Sequence, residues 1–195
     1  MTYISFKYAI TTALFLILAI SAKADTENYI LDPNHSYILW HVNHFGFSDV
    51  SGKWMVTGHL ELDENAPEHS KVDVIIKLAD LGTGVPELDK RLKSADFFNA
   101  AVFPTATFVS DSIERISANT AKIHGILNLH NFSKPIVLEA KLNKLAIYPM
   151  TKKKTAGFIA TTKLKRSAFG IELYAPNVSD EVNIEIQIEA YKADN

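Results

Sequence analysis

From Tyr37 to the C-terminal end, the chain alternates apolar and polar residues with a period of two, in segment after segment. Such a period places successive side chains on opposite faces, so each segment reads as a strand with one buried face and one wet face. Ile38, Trp40 and Val42 share a face against Tyr37, Leu39 and His41, and Trp54, Val56, Leu60 and Leu62 run against Thr57, His59, Glu61 and Asp63. Val72, Val74, Ile76 and Leu78 follow, then Ala106 and Phe108, then Ala121, Ile123, Gly125, Leu127 and Leu129. Ile136, Leu138, Ala140 and Leu142 form a sixth set, Phe158, Ala160, Thr162 and Leu164 a seventh, and Val182, Ile184, Ile186 and Ile188 an eighth. Eight one-sided strands form a closed barrel or a two-layer sandwich. The barrel is the expectation, because closure leaves no strand edge exposed.

One stretch breaks the alternation. Pro86 to Ser94 suits a short helix, with Pro86 in its first turn and Leu88 and Leu92 four apart. It lies between the third and fourth strands, in an insertion long enough to serve as a lid or binding loop. Phe97 and Phe98 follow it and are candidates to cover one mouth of the barrel.

The N-terminal residues carry a different signal. Lys7, the apolar run from Ala9 to Ala22 and the small-x-small triplet Ala22-Lys23-Ala24 have the three-part layout of a secretion signal. The run is shorter than the roughly 20 apolar residues a membrane-spanning helix needs. The expected domain plan is therefore a signal peptide over 1–24 and one barrel domain over 25–195, in the periplasm or secreted. There is no cysteine, so stability must come without disulfides, and no thiol offers an attachment point for a lipid anchor. The formal charge of −2 becomes −4 on loss of the leader, which holds two lysines and no acid. A mildly acidic chain makes no electrostatic case for nucleic acid.

Catalytic signatures are sparse. The sequence has no thiol, no Gly-x-Ser-x-Gly elbow, no His-Glu-x-x-His and no phosphate loop. Asp89 and Asp96 form only a loose pair around the helical segment, and His41 and His44, three apart on a strand, point to opposite faces. The expectation is no enzyme, no metal and no catalytic cofactor; the one catalytic alternative is a lipid head-group hydrolase using His44 with a nearby acid. Lys152-Lys153-Lys154 is the basic cluster, read as a hairpin tip that could touch anionic lipid transiently.

Several stretches occur in an order that resembles the YceI-like family: Asp32 with His35-Ser36, Val42 to Ser48, Ser51 to Trp54, Leu92 to Phe98, Phe103 to Phe108, Lys134-Pro135, and Arg166 to Gly170 leading to Val178 to Val182. The resemblance covers about Tyr29 to Tyr191. Two departures stand out. Where the family usually has arginine-aspartate and then histidine-leucine-arginine in the helical segment, this chain has Leu88-Asp89 and Arg91-Leu92-Lys93, and Asn131 replaces the usual glycine before the sixth strand.

The resemblance implies an all-β, lipocalin-like, eight-stranded antiparallel barrel that holds a long isoprenoid or other amphiphilic lipid, as monomer or homodimer. The tunnel wall it implies is Ile38, Trp40, Val42, His44, Trp54, Val56, Val74, Ile76, Phe108, Ile123, Leu127, Phe158, Phe169 and Ile184, with Phe97 and Phe98 as lid. An isoprenoid quinone or a polyprenyl phosphate leads as ligand. A scavenger of amphiphilic molecules or lipophilic antibiotics in stress response would share that tunnel, and a structural protein with a filled, inert core would share the fold.

Overall fold

The computed structural model describes residues 25–194, so the expected signal peptide lies outside the described residues. Nine strands occur in order: β1 (Glu27–Leu31), β2 (Tyr37–His44), β3 (Ser48–Leu62), β4 (Lys71–Lys77), β5 (Thr105–Arg115), β6 (Thr120–Leu129), β7 (Phe132–Ile147), β8 (Lys154–Lys165) and β9 (Glu181–Lys192). Each of β2 to β9 pairs antiparallel with its barrel neighbours, and the sheet closes where β3 meets β4, with Val56 opposite Ile76 and Leu60 opposite Val72. At that seam a Cβ on Gly58 would lie 2.0 Å from the Asp73 carbonyl oxygen, so only glycine admits the approach.

The expected eight-stranded closed barrel is present, and one further strand extends it. β1 and β2 both pair antiparallel with β3 and with β9, so they lie end to end as a single interrupted stave. The interruption is Asp32 to Ser36. There Asp32 accepts a hydrogen bond from the Asn34 N–H at 2.9 Å, and the Ser36 hydroxyl donates to the Glu189 carbonyl at 3.0 Å, fastening the break to β9. β1 escaped the alternation because it is short and buries only Tyr29 and Leu31.

Apolar faces point inward on every stave, and the outer faces carry residues such as Lys71, Asp73 and Lys77 on β4 and Glu181, Asn183 and Glu185 on β9. That is the reverse of a membrane-spanning barrel, whose outer band is apolar. Among the described residues no helix is long and apolar enough to cross a membrane. Two bulges shift the phase, between Ser110 and Ser112 on β5 and between Leu142 and Lys144 on β7. The extra residue re-aims the side chains beyond it, so Ile113 and Leu145 reach the interior.

The connections divide between the two barrel ends. One end carries the β2–β3 turn, the long segment between β4 and β5 with its helix α1 (Pro86–Lys93), the β6–β7 turn and the 166–180 connection between β8 and β9. The other carries the 63–70 connection and the β5–β6 and β7–β8 turns. Leu92 of α1 and Phe98 pack on the core, which sets the helical segment across its end of the barrel.

Candidate functional site

The barrel is hollow. A cavity of about 500 Å³ runs along its axis, walled by side chains from all nine strands and reaching exposed residues at both ends, His44, Arg91 and Tyr174 at the α1 end and Arg115, Ser117 and Asn119 at the other. Its size falls within the range of small-molecule binding sites, roughly 300–1,000 Å³. The wall is overwhelmingly carbon, because period-two alternation sends every second residue of each stave inward.

Ile38, Trp40, Val42, Trp54, Val74, Ile76, Phe108, Ile123, Leu127, Phe158, Phe169 and Ile184 all stand on this wall, with His44, Phe97 and Phe98 toward the α1 end. Val56 is not among the wall residues: it is 1% exposed and packs in the cluster with Tyr29 and Leu81. Alternation specifies the direction a side chain takes, but packing decides whether empty space lies in front of it.

The indoles form the most constrained part of the wall. Trp40 and Trp54 lie 6.1 Å apart between ring centroids, and Phe98 meets Trp54 edge to face at 5.2 Å. Trp40 packs closely on Gly52, its cross-strand partner: a Cβ there would be 2.3 Å from Trp40 Cζ2. Both indole nitrogens are buried, with no hydrogen-bond partner among the described residues.

At the α1 end the rim is polar and tied together. The Arg91 guanidinium pairs with Asp96 at 3.1 Å, donates to the Tyr174 hydroxyl at 3.3 Å and stands 5.8 Å over the Phe97 ring, which packs 6.3 Å from Tyr174. These contacts join the α1 segment to the 166–180 connection across the mouth. That connection is organised by buried Arg166, which donates to the carbonyls of Ser179, Ile171, Leu173 and Val178 at 2.8–2.9 Å. Burial lowers the Arg166 pKa from its ordinary value, and nearby Asp180 opposes that shift. Asp89 and Asp96 do not form an acid pair. Asp89 accepts from the Thr83 hydroxyl and N–H, which hold its carboxyl below the usual range, and Asp96 serves Arg91.

At the far end Glu27 sits between Lys192 and Lys154, whose hydrogen bonds lower its pKa to about 2 despite some desolvation. Lys154 also pairs with Glu64, and Lys153 with Asp194 at 2.8 Å, so the lysine cluster lies opposite α1 with two of its charges engaged in ion pairs. On the outside, at the β1–β2 break, Asp32, His35 and Glu189 bring ligand-type atoms within 4.8 Å of one another; the contact holding them is the His35–Asp32 pair at 2.8 Å.

Sequence reasoning missed Tyr174 and Arg91 as mouth residues and Leu31 and Ile113 as wall residues. The first two depend on loop packing and the others on a short strand and a bulge; none of these leaves a period-two trace.

The model of the YceI-like domain matches residues 29–190. The chain belongs to the YceI-like family. Its YceI-like relatives include a UPF0312 protein of Vibrio vulnificus, 32% identical over 189 residues and covering 95% of this chain and 98% of that one. Another, from Azotobacter vinelandii, is 33% identical over 175 residues, covering 88% and 91%. Among solved structures, a Campylobacter jejuni YceI protein superposes with TM-score 0.71 at 31% identity, covering 78% of this chain and 90% of that one. Burkholderia cenocepacia BcnA matches with TM-score 0.74 at 20% identity, covering 82% and 98%. A polyisoprenoid binding domain from Saccharophagus degradans matches with TM-score 0.65 at 12% identity, covering 85% and 98%, a likeness of fold. The YceI-like barrel is thus a shared architecture.

Proposed function

We propose that this protein is exported through its N-terminal signal, freed by cleavage between Ala24 and Asp25, and holds one long isoprenoid lipid in its bore as a periplasmic carrier or store. The carrying observation is the long cavity whose wall is almost wholly apolar and whose ends reach the surface. The polyisoprenoid binding domain of the same fold from Saccharophagus degradans supports the lipid class. Binding rather than catalysis fits a wall that is almost wholly carbon.

Energetics favour a carrier over a trap. Burying forty carbons at ~0.8 kcal/mol per methylene-sized unit is worth about 30 kcal/mol gross, beyond the practical affinity ceiling of roughly 18–21 kcal/mol. The competing phase is therefore the bilayer, and transfer between two apolar environments is near balance. An isoprenoid quinone brings no charge into such a bore. A polyprenyl phosphate must leave its head at a mouth, since burying an unpaired charge against carbon is costly.

Native mass spectrometry of the mature protein, before and after solvent extraction, tests this. The expected result is a mass excess matching one prenyl lipid, lost on extraction and recovered chemically intact. Protein gently purified from its host without bound lipid would sink the reading; recovery of a cleaved head group would favour the hydrolase.

A further inference from the structure

Among the described residues, the exposed large aromatics are Phe45, Phe47, Phe132 and Tyr174, with 48%, 90%, 42% and 51% of their surface in solvent. All four belong to the α1 end, on the β2–β3 turn, at the start of β7 and in the 166–180 connection. The opposite end exposes only aliphatic Ile116, Ile147 and Met150 among its large apolar groups.

The backbone holds two of these rings where bulky residues are rarely found. Phe45 has φ +54° and Tyr174 φ +64°, the left-handed region in which glycine or asparagine is the relaxed choice. The turn is also braced: Phe45 N–H donates to Asn177 O at 2.7 Å, Gly46 N–H to Asn43 Oδ1 at 2.8 Å, and His44 bridges to Val178. Phe45 is thus presented by a braced turn, and both positive-φ rings are held at some conformational cost. Tyr174 both lines the cavity and faces solvent, so the aromatic patch is continuous with the mouth.

We infer that the α1 end is a membrane-docking face: the rings of Phe45, Phe47 and Tyr174 insert among the head groups of a phospholipid surface and set the mouth of the bore against it. This rests on the lipid-holding reading, because a cargo soluble only in bilayers must enter and leave at one. Aromatic side chains favour that interfacial depth. Charge does not drive the contact, since on α1 and after it Lys90, Arg91 and Lys93 are offset by Glu87, Asp89 and Asp96. Docking should therefore be insensitive to salt, unlike an electrostatic contact through Lys152 to Lys154 at the far end.

The test is cosedimentation of the full mature protein with dioleoylphosphatidylcholine vesicles at about 0.1 and about 1 M NaCl, the higher salt cutting the screening length to about 3 Å. Phe45→Asn relaxes the turn while removing a ring, Phe47→Ser removes the exposed one, and Met150→Ser is the control at the opposite end. Wild type is expected to partition onto vesicles about equally at both salts, each Phe variant to lose on the order of tenfold, and Met150→Ser to match wild type. Thermal melts should show Phe45→Asn at least as stable as wild type. Absence of vesicle binding overturns the inference, as does equal loss in Met150→Ser or release by high salt. So does a wild-type dimer that the Phe variants dissolve, which would make the patch a contact between copies. Lipid extracted from the same samples separates the two readings: cargo without docking refutes only this face, and docking without cargo refutes only the carrier.

Discussion

Replacing Gly52 by alanine tests the link between backbone detail and bore most directly. A Cβ at this position would stand 2.3, 2.5 and 2.7 Å from Trp40 Cζ2, Cε2 and Nε1. Restoring ordinary carbon contacts of about 3.5–4 Å moves the indole by roughly 1.2–1.7 Å. The wall is behind the ring and Trp54 beside it, so the displacement is into the cavity. The φ of Gly52 is not left-handed, so alanine meets no backbone barrier and the whole effect passes through the ring. Overpacking of this kind costs about 1–3 kcal/mol, offset by the ~0.4–1 kcal/mol that alanine recovers by restricting the unfolded chain. A net loss of about 1–2 kcal/mol lowers Tm by roughly 2–8 °C in a chain of this size. The second substitution, Trp40→Phe, deletes the clashing atoms. Thermal denaturation of the single and double variants forms a cycle in which Gly52→Ala is expected to be destabilising alone and nearly silent beside Trp40→Phe. Lipid held per protein should fall in the single variant. If Gly52→Ala melts at or above wild type, or if the two effects add, the packing of Trp40 on Gly52 is not what shapes the bore.

Other expectations concern the two ends of the barrel. Phe97→Ala should speed exchange of a fluorescent lipid with little change in Tm, because its ring contacts Tyr174 and Arg91 at the rim; Phe98→Ala, seated on Trp54 and the core, should lose about 1.5–3 kcal/mol in denaturant unfolding. Equal melting of the two variants would contradict that division. Glu27 has its pKa lowered from 4.5 to about 2, so its stabilising share is complete above pH 4.5 and disappears as pH falls toward 2. Glu27→Gln should therefore flatten the Tm profile across that window and leave its shape above about pH 5 unchanged. Arg166→Met strips the partners from four carbonyls in the 166–180 connection and should cost about 3–5 kcal/mol, with hydrogen exchange rising there first; uniform exchange across the barrel would argue against a local organiser.

Much of the fold was legible because alternation is a local property. Whether Trp54 or Val74 faces in depends on its own neighbours along the chain, and the structure keeps that phase on every stave the pattern identified. Asn131 adopts φ +64°, as a replacement for glycine in that turn requires, and Pro86 opens the helix where its ring is tolerated. The mouth was less legible. Arg91, Asp96, Phe97 and Tyr174 lie as much as 83 positions apart, and only the folding of two long connections over one end brings them together.

Eight of the nine strands, the face each of those buries and the absence of disulfides were determined by the sequence alone. These need only residue type and spacing. Tertiary structure alone decided that β3 closes on β4, that β1 completes the stave of β2, that bulges on β5 and β7 turn Ile113 and Leu145 inward, and that Val56 meets packed neighbours while Trp40 borders empty space. A cavity is the difference between the volume a closed sheet encloses and the volume its side chains occupy. Both terms depend on pairings between distant segments, so no stretch of sequence contains the bore.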